Sequence, residues 1–248
     1  MKTAIIIPAR LASTRLPEKP LADIFGKSLI QWVYLQASKV KDVDVIVATD
    51  HEKIYDHVAE FGGRVVMTDP GHLSGTDRIA EVARELTHDI IINLQGDEPL
   101  IDPRQISDLI RMMHSDKVDI STQCNRIQDE ESLFDYNVVK VVKDHHDRAL
   151  YFSRQAIPAF RDKRYSEWLP NAIYFRHIGI YGFKRRVLLQ LTGLPPSELE
   201  KAESLEQLRW LENGYSIYCS ETSYTSIGVD TIDDLERVRD TVLKEMFR

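Results

Sequence analysis

Through about residue 116 the chain alternates short apolar runs with stretches whose apolar positions recur every three or four residues. Ala4 to Ile7 is a continuous apolar run, the mark of a parallel strand covered on both faces. Leu29, Trp32, Val33, Ala37 and Val40 then share a helical face, and Val43 to Ala48 reads as a second strand ending at Thr49-Asp50. Ile54, His57, Val58 and Phe61 predict a helix closed by Gly62-Gly63, followed by a strand from Arg64 to Met67. Ile79, Val82, Ala83 and Leu86 mark the next helix, and Asp89 to Leu94 a strongly apolar fourth strand. Asp102 and Pro103 supply an N-cap and a first helical position for Ile106, Leu109, Ile110 and Met113. Such alternation predicts an α/β fold with a mainly parallel, doubly wound sheet.

From about residue 118 the texture changes. Val118 to Cys124, Val138 to Val142, Arg148 to Phe152 and His177 to Phe183 read as strands with few helices between, and Ala159 to Arg176 as an irregular loop. This predicts an inserted mixed or antiparallel subdomain over 118–196. A single helix is expected after Pro195-Pro196, with Ser197 and Glu200 as a capping box and Gly214 as its end. Tyr215 to Ser220 reads as a strand, and Thr231 with Asp234 caps a last helix through Leu235, Val238 and Val242. The whole is expected to be one domain, 1–248, with parts 1–117, 118–196 and 197–248.

Composition narrows the classes. With 43% hydrophobic and 29% charged residues the chain is of ordinary globular type, and 248 residues bury a core without disulfides. The net charge of −7 argues against generic binding to nucleic acid or anionic membrane. Cys124 and Cys219 lack metal-binding spacing and fit buried thiols in a reducing compartment. Pro8 and Arg10 break the apolar start too early for a signal sequence, and no run approaches a membrane span, so a cytoplasmic location is expected.

Ligands of doubly wound sheets bind beyond the carboxyl ends of the strands, and Arg10, Asp50 and Asp97 all stand there. The loop after the first strand carries Arg10, Ser13, Thr14, Arg15 and Lys19 between stiffening prolines. Three cations and two hydroxyls suit a triphosphate, although an incidental solvated loop has the same composition. The loop has neither the Walker ending nor a GxGxxG pattern. Asp97, after Gln95-Gly96, and Asp230, after Ile-Gly-Val, offer two hard carboxylates, enough for magnesium on phosphates. Capping is the alternative role for each, a better one for Asp230 than for Asp97. Ser74 to Arg78 could hold a base or ribose or simply cap a helix. Glu203, Glu206 and Gln207 are expected on one helical face, ordinarily a solvated one. His177 on its strand, with Tyr151, Ser153 and Arg154, is equally compatible with a structural role.

Taken in order, IIPARLASTRLPEKPL, VATDHEKI, HLSGTDRIAEV, INLQGDEPLI, NVVKVV, ALYFSRQAIP, RHIGIYGF, LEKAESLEQLRWLENG and IGVDTIDDLERVR resemble the CMP-KDO synthetases. These are cytidylyltransferases that activate 3-deoxy-D-manno-octulosonate (KDO), and the resemblance runs nearly end to end. It implies a Rossmann-like nucleotidyltransferase fold, a homodimer, Mg2+ as cofactor, and transfer of CMP from CTP to KDO for lipopolysaccharide synthesis. By that resemblance 1–117 is the nucleotide-binding half, 118–196 the sugar-binding and dimerisation region, and 197–248 completes the site. It implies catalytic roles for Arg10, Arg15, Lys19, Asp97 and Asp230, the two aspartates holding the metal. Nucleotide contacts fall to Ala9, Arg10, Ser13, Lys19, Asp50, Ser74, Arg78 and Gln95. Sugar contacts fall to Arg15, Gln95, Arg154, His177, Tyr181, Glu203, Glu206 and Gln207. Two departures stand out: Glu18 replaces a glycine of the common RLPGKP loop, and Ala159-Phe160-Arg161-Asp162 shifts an aromatic–acidic pattern. Transfer to 8-amino-KDO or sialic acid, and a regulatory nucleotide-binding module without turnover, are the competing readings.

Overall fold

Ala4 to Ile7 are wholly buried within strand β1 (Thr3–Ala9), as a strand covered on both faces requires. The computed structural model describes residues 1–12, 15–224 and 227–246. The chain divides into two compact units, 1–111 with 224–248, and 112–223. The sequence boundaries at 117 and 196 differ from these, because residues 197–223 pack within the second unit and only 224–248 return to the first.

In the first unit β1 is followed by a small hairpin, β2 (Asp23–Ile24) and β3 (Lys27–Ser28), turned by Phe25 and Gly26 at positive φ. Then come α1 (Leu29–Ala37), β4 (Val43–Thr49), α2 (Glu52–Glu60), β5 (Val65–Met67), α3 (Gly75–Arg84), β6 (Ile90–Asn93) and α4 (Pro103–Met113). Strands β5, β4, β1 and β6 lie side by side in that order, all parallel. The chain thus runs outward from β1 through β4 to β5, then returns to the other side of β1 as β6. Ligands of such sheets bind where the order reverses, beside the carboxyl ends of β1 and β6. The last helix, Ile232–Met246, joins this unit: Leu235, Val238 and Val242 pack with Ile24, Leu29 and Val229.

The second unit contains β7 (Ile120–Arg126), α5 (Glu130–Phe134), β8 (Lys140–Lys143), β9 (Ala149–Ser153), α6 (Trp168–Asn171), β10 (Phe175–Lys184), α7 (Arg185–Leu191), α8 (Glu198–Glu203), α9 (Glu206–Glu212) and β11 (Ile217–Glu221). Its pairing is mixed: β10 is antiparallel to β7 and β8, β8 antiparallel to β9, and β11 parallel to β7. Ile127, Leu133, Trp168 and Tyr174 form a separate apolar cluster beneath the 159–174 segment.

Two sequence expectations need correction. The loop over 159–176 contains a 3-10 turn (Tyr165–Glu167) and α6, and β10 starts at Phe175. Helices are few between these strands, as expected, with the short α5 among them, and α7 follows β10. The single helix expected over 197–214 is two: Ser204, at φ 51, breaks it between α8 and α9. The cause is remote in sequence. Arg154 draws off the carbonyls of Glu203 and Ser204 (2.7 and 3.3 Å), while the Glu203 carboxylate accepts from Ser153 Oγ and the Arg154 amide (2.7 and 2.9 Å). Glu203 therefore does not share a helix with Glu206 and Gln207.

Candidate active site

Of the residues expected at the phosphate and metal positions of the first unit, Arg10, Arg15 and Lys19 follow β1, Asp97 follows β6, and Asp230 stands just before the last helix. Ser13 and Thr14 lie outside the described residues. Ala9 is the buried last residue of β1, and Arg10 beyond it is exposed. Lys19 opens a 3-10 turn (Lys19–Leu21) whose preceding residue, Glu18, is left-handed at φ 50. The Glu18 carboxylate accepts from Lys53 Nζ at 2.6 Å, tying the loop to α2. That pair is exposed, and the lysine's hydrogen bond holds Glu18 below the usual carboxylate range.

Lys19 is the hub. Its ammonium donates to Asp97 Oδ2 at 2.9 Å and to Asp230 Oδ1 at 3.0 Å, and Arg15 Nη2 lies 3.1 Å from the same Asp230 oxygen. Burial, the largest single influence on Lys19, pulls its pKa down, but the two carboxylates outweigh it and the net shift is upward. The lysine stays charged at any physiological pH. Asp230 escapes the capping role because its neighbours take it. Thr231 Oγ1 accepts from the Asp234 amide (3.2 Å), and Asp234 accepts from the amides of Asp230 and Thr231 (3.1 and 2.9 Å). Asp102 likewise caps α4, accepting from the Arg104 amide at 2.8 Å, which frees Asp97. A backbone bond from Val229 N–H to the Asp97 carbonyl (2.9 Å) brings the two aspartates together.

Gly96 is required by closeness rather than by a turn. A Cβ there would stand 3.1 Å from the Pro8 carbonyl oxygen and 3.3 Å from Ile30 Cδ1. The first of these belongs to the backbone of β1, where Pro8 is paired with Ala48 of β4 and resists displacement. Gly96→Ala is expected to destabilise by about 1–3 kcal/mol, as overpacking does. A thermal melt checks it: an unchanged Tm would show that the end of β1 gives way.

Two cavities adjoin these groups. The larger, about 620 Å3, is lined by Arg10, Arg15, Lys19, Gln95, Gly96, Asp97 and Asp230 among others. The smaller, about 200 Å3, is lined by Ala9, Arg10, His72, Ser74, Gly75, Arg78 and Gln95. Ser74 caps α3, accepting from the Asp77 amide at 3.1 Å, and still lines the cavity. Arg78 is buried, with Nη2 on Asp50 Oδ2 (2.6 Å) and Nη1 on Thr68 Oγ1 (2.5 Å). Asp50 thus reaches the site through Arg78. His72 and Thr68 went unread in the sequence: His72 sits in the HLSGTDR block, but no spacing distinguishes it, and Thr68 is an ordinary strand-end residue.

The second unit holds Arg154, His177, Tyr181, Glu203, Glu206 and Gln207. Arg154 and Glu203 are bonded as described. Glu206 Oε1 accepts from Arg209 Nη2 at 3.0 Å, and Gln207 is buried. His177 is half-buried, its ring against Phe152 and Tyr181 and its Nε2 2.9 Å from Thr122 Oγ1. Burial pushes its pKa down to about 3. Below pH ~6.5 the unfolded chain gains a proton that the folded one refuses, so stability falls as pH drops from there toward 3. Roughly 2 kcal/mol is expected to vanish between pH 6.5 and 5. Urea midpoints at pH 7 and 5 measure it, and His177→Gln should flatten the difference; equal slopes in both proteins would refute the assignment.

A cytidylyltransferase family profile matches residues 4–220. The chain is similar to the 3-deoxy-manno-octulosonate cytidylyltransferase of Cytophaga hutchinsonii, 50% identical over 242 residues, or 95% of this chain and 96% of that one. The protein of the same name from Parabacteroides distasonis is 48% identical over 243 residues, 96% of each. Among solved structures it is similar to a CMP:2-keto-3-deoxy-manno-octonic acid synthetase complexed with CTP. That likeness has a TM-score of 0.92 at 44% identity, covering 99% of this chain and 100% of the other.

Proposed function

Because the chain belongs to the cytidylyltransferase family, and within it to the 3-deoxy-manno-octulosonate cytidylyltransferases, we propose that it transfers CMP from CTP to KDO with release of diphosphate. The observation that carries this reading at the level of chemistry is the meeting of Asp97 and Asp230 at Lys19, inside a cavity also lined by Arg10 and Arg15.

The reaction is an in-line attack by the sugar's anomeric hydroxyl on the α-phosphorus of CTP. Arg10, Arg15 and Lys19 provide three positive charges where diphosphate gains negative charge as it departs. Lys19 is kept charged beside the reacting groups by its carboxylate partners. The smaller cavity, with Ser74, Arg78 and Gln95, takes the nucleoside. No covalent enzyme intermediate is needed.

Two carboxylate oxygens sharing one cation suit Mg2+, a hard ion that takes one or two carboxylates and completes its shell with phosphate oxygens and water. Asp97 and Asp230 would hold it, and when bound it would lower the pKa of the attacking hydroxyl and polarise the α-phosphate. In the second unit we assign sugar recognition to Arg154, His177, Tyr181, Glu203, Glu206 and Gln207. Of these, His177 and Tyr181 serve as a packed wall.

Purified protein with CTP, KDO and magnesium should release diphosphate and a product of the mass of CMP-KDO. Replacing KDO by sialic acid or 8-amino-KDO should slow the reaction strongly; equal rates would shift the acceptor assignment. CTP binding without turnover on any acid sugar would support the regulatory alternative. We further assign dimerisation to the second unit, which exposes Tyr136, Leu150, Tyr165 and Ile173. Sedimentation should give twice 28.6 kDa. The free thiols of Cys124 and Cys219 fit a cytoplasmic enzyme. Among the described residues no helix is long and apolar enough to cross a membrane.

A further inference from the structure

His72 lines the nucleoside cavity, yet neither the sequence reading nor the phosphate chemistry gives it a role. Its surroundings are built rather than incidental. Its Nε2 pairs with Glu81 Oε2, and the same oxygen accepts from the Asp69 amide at 3.0 Å. Glu81 stands one turn after Arg78 on α3, so the helix that carries the buried arginine also carries the carboxylate that orients the imidazole. The His72 side chain is 82% withdrawn from solvent, being 18% exposed.

The partner fixes the tautomer. Burial, the largest influence on Glu81, raises its pKa, but the hydrogen bonds from His72 and the Asp69 amide outweigh it. Glu81 is therefore an ionised acceptor at neutral pH and demands that Nε2 carry the proton. Nδ1 is left as a lone-pair acceptor. Of the cavity's other polar side chains, Arg10 and Arg78 are donors, the latter already directed to Asp50 and Thr68, Ser74 caps α3, and the Gln95 amide donates to Asn93 Oδ1.

Resting on the cytidylyltransferase reading, we propose that His72 is a specificity residue, accepting through Nδ1 a hydrogen bond from the exocyclic amine of a 4-aminopyrimidine, with Glu81 as its positioning residue. The same lone pair repels the carbonyl that uracil carries in place of the amine. Discrimination between CTP and UTP then arises from a polar group left facing a like one, which is costlier than a missing contact.

The test is equilibrium binding of CTP and of UTP, without acceptor sugar, to the wild type, His72→Phe, His72→Asn and Glu81→Gln. Wild type should prefer CTP. His72→Phe keeps a ring but no acceptor, and its preference should fall by roughly tenfold or more, chiefly through weaker CTP binding. His72→Asn can present a carbonyl oxygen and should recover part of the preference; Glu81→Gln, which relaxes the tautomer, should lose part of it. If CTP and UTP weaken equally in the folded variants, His72 only packs the cavity wall and the inference is overturned. A wild type without preference also overturns it. Should His72→Phe fail to fold, the Asn and Gln variants still decide. Because no sugar is present, a failure of KDO turnover leaves this measurement intact and falls on the proposed reaction alone.

Discussion

Replacing Asp97 by alanine is expected to cut diphosphate release from CTP and KDO about a hundredfold to a thousandfold, the loss typical of one preorganised electrostatic contact to a transition state. The carboxylate is one of two that converge on Lys19, and it leaves a cavity whose other charges are mainly basic. The fold should survive. Lys19 keeps Asp230 as a partner, and the Asp97 carbonyl, which the substitution spares, still accepts from Val229 N–H. The loss should therefore fall on kcat, with the thermal midpoint little moved. Asp97→Asn preserves shape without charge and should be nearly as slow. A wild-type turnover number for either variant, at saturating CTP, sugar and magnesium, would end the assignment of this carboxylate to the chemistry.

The largest effect on stability is expected from Asp50→Ala. Arg78 is 4% exposed and charged, and its guanidinium is bonded to the Asp50 carboxylate and the Thr68 hydroxyl. Removing the carboxylate strands a buried cation, which costs about 3–5 kcal/mol. For a chain of this size each kcal/mol lowers Tm by roughly 2–4 °C. Nucleotide affinity should fall with it, since Arg78 lines the nucleoside cavity and loses its orientation. Asp50→Asn, which can still accept one hydrogen bond, should lie between. The pair is more than a surface ornament only if the melt of Asp50→Ala moves; an unshifted Tm would mean that water reaches Arg78.

How much of this was legible in the sequence differs between the two units for a physical reason. In the first, the central strands β1 and β6 and most of β4 are buried on both faces, so periodicity reports the fold directly, and strand ends mark where Arg10, Asp50 and Asp97 must emerge. The competing roles of Asp230 were not separable from sequence, because Asp230, Thr231 and Asp234 can all cap a helix. The coordinates assign the capping to Thr231 and Asp234 and send the Asp230 carboxylate to Lys19 and Arg15. In the second unit the mixed pairing leaves weaker alternation. The break at Ser204 follows from an arginine fifty residues earlier taking the carbonyls that would continue the helix. No local pattern of residues 197–214 encodes that. The capping box at Ser197 and Glu200 was readable and is present, because both partners lie three residues apart.

The contact between Lys19 and Asp230 spans 211 positions of the chain. A ribosome delivers residues from the amino end, and early segments fold as they emerge. The basic loop and Asp97 can therefore be in place, able to engage a triphosphate, while the second aspartate has yet to be synthesised. On the proposed assignment, catalytic competence waits until Asp230 has emerged and reached Lys19. The same late segment carries the helix whose Leu235, Val238 and Val242 close the core over Ile24 and Leu29, so the second carboxylate and the packing that fixes it arrive together.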